Sequence, residues 1–374
     1  MYKAHNIYSS LTFRDKILNF DYILLFSVLL LGVISIFTQF SSSGGIFDYH
    51  SKSHAIRFFV FFVLFLVISL MPINFWFSTS FFIYFLFLLL LIGVKYFGIT
   101  SSGSQRWINI YIFNLQPSEL MKVGVILFLA KYYHRISSDN VNRIIYLLYP
   151  VTALLIPFVL VLSQPDLGTS LLILSSGIII IWLAGIKQKY FFYMSLLLIA
   201  AAPVVISLLK PYQKARILTF LNPDRDPLGA GYQIIQSKIA VGSGGFFGKG
   251  FLNGSQSYLD FLPEKHTDFI FTLFSEEFGF VGSVLILFLY FIITYRIIKI
   301  GEQTRSVFGK LFCFGFATAF FIYVAVNMSM VLGLLPIVGA PLPILSYGGS
   351  SMLAIMFGLG VVMSCRIFKD SAFT

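Results

Sequence analysis

Asp268 stands where a polar stretch, Pro263-Glu-Lys-His-Thr-Asp268, runs straight into an apolar one, Phe269-Ile-Phe271. A carboxylate at the mouth of an apolar helix has two readings. It can cap the helix, since Asp is a preferred N-cap and suits the positive end of the helix dipole. It can also serve as a general base, because the same apolar entry desolvates the carboxylate and raises its pKa. Both readings stay open on the sequence. His266, two residues earlier, is a candidate to contact a substrate. With Asp268 it makes too small a set for zinc, which usually takes three or four protein ligands.

Glu119 and Lys122 lie three residues apart, hence on one face of a helix. Either they pair with each other, or Lys122 binds an anionic substrate group while Glu119 holds it in place. Arg106 and Trp107 set a cation beside an indole, which either belongs to an interfacial aromatic belt or stacks on a sugar ring. The stretch Gly242-Ser-Gly-Gly-Phe-Phe-Gly-Lys-Gly250 invites comparison with a phosphate loop. It fails the nucleotide pattern, because Gly250 follows Lys249 where Ser or Thr is needed and no glycine stands five before Gly248. A flexible loop is the plain reading; backbone amides and Lys249 cradling a pyrophosphate is the sharper one.

Composition dictates the elements that must hold these residues. The chain is 58% hydrophobic and 11% charged, against roughly 45–50% and 25% in soluble domains. Its apolar runs include Tyr22 to Phe40, Phe58 to Met71, Phe81 to Val94 and Val281 to Ile293. A helix needs about 20 mostly apolar residues to cross a hydrocarbon core of about 30 Å. The pattern predicts an all-α integral membrane protein, one domain over 1–374, with about ten spans. These fall near 21–40, 55–73, 76–97, 117–133, 144–164, 167–186, 190–209, 268–295, 311–334 and 349–366, and Pro157 and Pro203 lie inside two of them. One long loop, about 210–267, separates the seventh and eighth spans. The net charge of +11 sits in short caps between apolar runs, so it suits anionic headgroups and not nucleic acid. Cys313 and Cys365 fall near cytoplasmic helix ends, where thiols are kept reduced.

Orientation follows from the short loops. One face collects Lys3, Arg14, Lys16, Lys131, Arg135, Arg143, Lys187, Lys189, Arg296, Lys299, Arg305, Lys310, Arg366 and Lys369; the other has only Lys52, Arg57, Lys95 and Arg106 outside the long loop. The richer face is cytoplasmic, with both termini, and the long loop faces outward. Most acidic residues then gather on or near the outer face, among them Asp48, Glu119, Asp166, Glu264, Asp268, Glu276 and Glu277. Acids at a membrane boundary are costly unless paired or wet, which makes each a site candidate.

Five blocks together resemble the SEDS family (shape, elongation, division and sporulation) over about Asp21 to Arg366. They are Gly103-Ser-Gln-Arg-Trp107 with Gln116-Pro-Ser-Glu119, Pro165-Asp-Leu-Gly-Thr169, Gly229-Ala-Gly-Tyr-Gln233 with Gln236-Ser237, Pro263 to Phe269, and Pro341-Leu-Pro-Ile-Leu-Ser-Tyr-Gly-Gly-Ser350. Gly333-Leu-Leu-Pro-Ile-Val-Gly339 looks more like the elongation branch, typified by RodA, than the division branch, which tends to have Thr-Lys there. The resemblance implies polymerisation of lipid II into glycan strands on the outer face of the cytoplasmic (inner) membrane. It also implies a class B penicillin-binding protein as partner. The family's essential aspartate falls on Asp268 and its conserved tryptophan on Trp107. With an axial pyrophosphate leaving group and a β-1,4 product, a single inverting displacement needs a base, here Asp268. It also needs cations for the diphosphate, for which Arg106, Lys122 and Lys249 are candidates, with room for a divalent ion such as Mg or Mn. A lipid flippase or a non-catalytic scaffold are the competing classes.

Overall fold

The computed structural model describes residues 11–371, apart from 102–103, 111–113, 138, 209–210, 227–228 and 255–263. Gly103, Pro263, Lys3 and Lys210 of the sequence argument therefore lie outside the described residues. After a short helix α1 (Phe13–Leu18), helices α2 (Tyr22–Ser42), α3 (Tyr49–Leu70) and α4 (Ile73–Phe97) follow in close succession. Next come α5 (Pro117–His134), α6 (Ile144–Ser163), α7 (Leu167–Leu183) and α8 (Gln188–Leu208). Beyond the long connection stand α11 (Ile270–Gln303), α12 (Val307–Val331) and α13 (Gly349–Ile367).

Ten long helices thus occupy the ten expected spans, in a multi-pass membrane protein. Seven of them, α2, α3, α4, α6, α11, α12 and α13, are long and apolar enough to cross a bilayer. Of the rest, α5 carries Glu119, Lys122 and Lys131 within 18 residues, and α7 has 17 residues. Helix ends differ from the hydropathy estimate where polar caps and charged flanks extend them. Asp48 caps α3 through the Ser51 amide, so that helix starts at Tyr49. Helix α11 carries Arg296 and Lys299 on to Gln303; such long side chains run their charges past the apolar zone. Pro157 and Pro203 lie inside α6 and α8, which run through them.

The all-α membrane bundle stands, and its connections carry structure of their own. A small antiparallel sheet lies between α4 and α5, formed by β1 (Ile99–Ser101), β2 (Ser104–Asn109) and β3 (Asn114–Leu115) in the order β1-β2-β3. The long connection over 210–267 has helices within it. It contains α9 (Pro211–Leu221), a 3₁₀ turn at Pro223–Arg225 and α10 (Ala230–Ser243). Helix α10 docks through the Ser237 hydroxyl, which donates to the Val331 carbonyl at 2.7 Å and lies 2.9 Å from the Thr272 hydroxyl.

The Gly242–Gly250 stretch is a brace, which corrects the flexible-loop reading. Helix α11 breaks at Gly279 (φ 65°), a left-handed conformation that glycine adopts without steric cost. The glycine-rich stretch packs into that break: the Lys249 and Gly250 amides donate to the Glu276 and Glu277 carbonyls, both at 3.0 Å. In return Phe280 and Val281 donate to the Gly245 and Phe246 carbonyls. A Cβ on Gly279 would lie 2.3 Å from the Gly248 nitrogen, so no larger residue fits. Elsewhere polar ties and close contacts join helices, as expected where lipid removes the hydrophobic drive between them. The Arg296 Nε donates to both oxygens of Asp21, the N-cap of α2, at 3.1 Å. Gly360 lets α13 approach α3, where a Cβ would meet Ile68 at 2.4 Å.

Candidate active site

Asp268 sits in a turn, Glu264 to Phe269, that is closed on itself and pinned from outside. Inside it, the Thr267 and Phe269 amides donate to the Glu264 carbonyl at 3.2 Å. Outside it, three successive carbonyls are held by three elements. That of His266 accepts from the Gln39 side chain of α2 at 2.9 Å and from the Tyr347 amide at 2.8 Å. That of Thr267 accepts from the Ser346 hydroxyl at 2.6 Å, and that of Asp268 from Asn327 Nδ2 of α12 at 3.0 Å. The backbone around Asp268 is thereby fixed by elements far apart in sequence.

The capping reading of Asp268 gives way here. Helix α11 takes Phe269 as its N-cap and has no side-chain capping bond. The Asp268 carboxylate accepts no hydrogen bond from a described residue. Burial pushes its pKa up to about 7; Glu264 and Asp166 add to the rise and Arg216 opposes it. A carboxylate poised near neutrality, unengaged and rigidly mounted, has the properties a general base needs.

Asp166 and Arg216 line the neighbouring cavity of about 70 Å³ with Arg106, Gln213 and the Pro336–Val338 segment. Arg106 reaches it from β2. Its Nε donates to the Gln164 carbonyl at 3.2 Å, Nη2 donates to the Pro165 carbonyl, and Nη1 lies 3.5 Å from Asp166. Asp166 caps α7 through the Thr169 amide at 3.1 Å and accepts from Gln116 Nε2 at 3.3 Å. Arg216 comes from α9, where its Nη1 donates to the Ile337 carbonyl at 3.2 Å. Two guanidinium groups and the Asp166 carboxylate so converge beside Asp268, a setting for an anionic group and a proton acceptor. Trp107, paired with Ile99, is the next residue along β2. Successive strand side chains alternate, so it is half-buried on the face opposite Arg106.

Glu119 and Lys122 pair as the plainer reading expects, and a third group joins them. Lys122 Nζ donates to both Glu119 oxygens at 2.9 Å and lies 3.8 Å above the Tyr323 ring. The Tyr323 hydroxyl donates to the same oxygens at 2.9 and 3.0 Å. Asp166 and Asp268 lie within electrostatic range of that tyrosine. The triad therefore stands behind the cavity, with both charges already engaged.

Lys249 and His266 go elsewhere. Lys249 Nζ binds Glu276 Oε1 at 2.7 Å in the brace and does not line the cavity of Arg106 and Arg216. The His266 Nδ1 lies 2.9 Å from the Ser42 hydroxyl and its ring stacks on His50 at 4.8 Å. Conversely, Asp166, Arg216 and Tyr323 belong to the site although spacing singles out none of them as such. Asp166 carries a signal in the Gln-Pro-Asp motif; Arg216 looks like any cation of a long loop, and Tyr323 lies 204 residues from its partner Glu119. Among the described residues no group of three or more His, Cys, Asp or Glu is placed to hold a metal ion. A divalent ion would thus depend mainly on substrate phosphates for its ligands.

Comparison with known proteins bears on this arrangement. Residues 17–371 match the model of the FtsW/RodA/SpoVE family, described as cell cycle protein. The chain is 39% identical over 366 residues to the peptidoglycan glycosyltransferase MrdB of Escherichia coli, covering 96% of each. It is 36% identical over 329 residues to a probable peptidoglycan glycosyltransferase FtsW of Buchnera aphidicola, covering 86% of this chain and 93% of that one. Among solved structures, a chain of a peptidoglycan synthase complex that coordinates polymerization and crosslinking superposes with a TM-score of 0.79 at 30% identity, covering 93% of this chain and 97% of that one. The rod shape determining protein RodA of Thermus thermophilus gives 0.71 at 25% identity, covering 94% and 98%.

Proposed function

Because the chain belongs to the FtsW/RodA/SpoVE family of cell cycle proteins, we propose that its geometry serves the polymerisation of lipid II into glycan strands. It is a peptidoglycan glycosyltransferase of cell elongation, as its similarity to MrdB over 96% of both chains indicates. The observation that carries the mechanism is the Asp268 carboxylate. It is mounted on a pinned turn, free of hydrogen bonds from described residues, and has Arg216 and Asp166 within electrostatic range.

In this reading Asp268 removes the proton from the incoming sugar hydroxyl. That oxygen attacks the anomeric carbon of the donor, and the polyprenyl diphosphate leaves with inversion. Arg106 and Arg216 neutralise the departing diphosphate; preorganised charges of this kind usually supply more than the base does. Glu119, Lys122 and Tyr323 hold Asp166 and its surroundings in register. Trp107 offers an aromatic face at the edge of the site. The apolar helices keep the polyprenyl tail in lipid while the headgroup meets the outer cavity. Both termini face the cytoplasm, the site opens outward, and a class B penicillin-binding protein crosslinks the strands; the match to a chain of a peptidoglycan synthase complex supports such a partnership. A flippase would need Glu119 and Lys122 as movable charges, and their engagement by Tyr323 supports a fixed role instead.

Purified protein carrying Asp268→Asn is expected to insert and fold normally yet lose activity on lipid II by about 10²–10⁴-fold. Polymerisation at the wild-type rate would overturn the assignment of the base.

A further inference from the structure

The Glu264–Phe269 turn has a second side. Asp268 lies toward Asp166 and Arg216, but His266 faces a separate polar cavity of about 340 Å³ under the α2–α3 connection. Its walls include Ser41, Ser42, Asp48, Lys265 and Glu277. Glu277 is 1% exposed. The Ser41 hydroxyl donates to its Oε1, while its buried Oε2 takes no hydrogen bond from any described residue. The Leu252 backbone approaches that carboxylate without closing a bond of ordinary geometry to Oε2. A buried carboxylate oxygen in this condition calls for a donor that enters the cavity.

The two cavities differ in charge. Two guanidinium groups line the first, which suits a diphosphate. The second presents Asp48 and Glu277 with serine hydroxyls and, among the described lining residues, Lys265 as the one Lys or Arg, an environment that repels a diphosphate and accepts O–H and N–H groups. Resting on the glycosyltransferase reading, we propose that this second cavity seats the sugar–peptide end of the acceptor, away from the acceptor's own diphosphate: a saccharide–peptide group rich in hydroxyl and amide donors. The turn then divides the two substrates. His266 and Asp268 are two residues apart, at most about 7 Å along the chain. A sugar lodged beside His266 can therefore present a hydroxyl to Asp268 around the turn, while the donor's diphosphate lies with Arg106 and Arg216.

The test uses the full chain in detergent and, as probe, the soluble disaccharide–pentapeptide without lipid or diphosphate. Hydrogen exchange is expected to show protection of segments 39–54 and 264–278. Ser42→Trp, which fills the cavity, abolishes that protection. Glu277→Gln keeps the side-chain shape and weakens probe binding about tenfold, as loss of one charge-assisted hydrogen bond does. Protection confined to segments holding Arg106, Asp166 and Arg216 would overturn the proposal, as would affinity unchanged in both variants. The activity reading fails separately. A wild-type chain that binds the probe at 39–54 but makes no glycan keeps the site and loses the reaction, and one that polymerises lipid II without such protection does the reverse.

Discussion

The pKa of Asp268 near 7 is set chiefly by burial, with Glu264 and Asp166 pushing it up and Arg216 pulling it down. Only the ionised carboxylate works as a base, so below pH 7 the working fraction falls about tenfold per pH unit. The initial polymerisation rate at subsaturating lipid II is therefore expected to climb from pH 5.5 and level off above about 7.5. Arg216→Gln removes the opposing cation and should move that limb to higher pH; Glu264→Gln should move it to lower pH. A limb that stays in place in both variants would assign the titration to another group. Asp268 and Arg106 stand out in the sequence as candidates because each sets a charge at the edge of an apolar or strand-like run. The pairing of Lys249 with Glu276 is not legible there: it depends on the Gly279 break, and hydropathy carries no sign of a break in a helix that reads as continuous.

At the scale of the elements, two features predict stability. The Gly279 break fixes α11 against the glycine-rich brace, so Gly279→Ala must meet both a left-handed backbone and the Gly248 nitrogen. Gly185 also has positive φ (92°) but open space around it. Gly185→Ala should cost only the backbone strain, about 1–2 kcal/mol, and Gly279→Ala distinctly more, read as the fall in melting temperature in detergent. Helices α5 and α12 meet through Glu119, Lys122 and Tyr323. Lys122→Met strands a buried carboxylate and should cost about 3–5 kcal/mol, most of it regained in Glu119→Gln/Lys122→Met. If the double variant is no better than the single one, the triad does more than balance charge. The (i, i+3) pairing of Glu119 with Lys122 was visible from spacing alone. Tyr323 was not, because contacts between distant helices leave no periodic trace in either one.

For the whole molecule, hydropathy located all ten long helices, since the bilayer imposes a length and a polarity that any sequence must show. It could not show that Pro211–Leu221 and Ala230–Ser243 are helices or that the glycine-rich stretch is a brace, because amphipathic segments at an interface resemble ordinary polar loops. The proposed orientation predicts that Phe47→Cys reacts with a membrane-impermeant maleimide on intact cells, and Glu302→Cys only after permeabilisation. Cys313 and Cys365 are buried and should stay silent; the opposite labelling pattern would invert the topology. Helix α11 has 34 residues in two segments that meet at the Gly279 break, whereas the hydrocarbon core is about 30 Å thick. The stretch Phe280–Gln303 suffices alone to cross it. The nine residues from Ile270 to Phe278 are surplus to the crossing, a pedestal that carries the Asp268 turn. In the proposed mechanism the pedestal works as a ruler: it sets where the carboxylate stands relative to the lipid, as a polyprenyl tail sets where the diphosphate stands. Removing one turn of it would draw Asp268 back by about 5.4 Å along the pedestal's own axis, farther than any hydrogen bond can stretch.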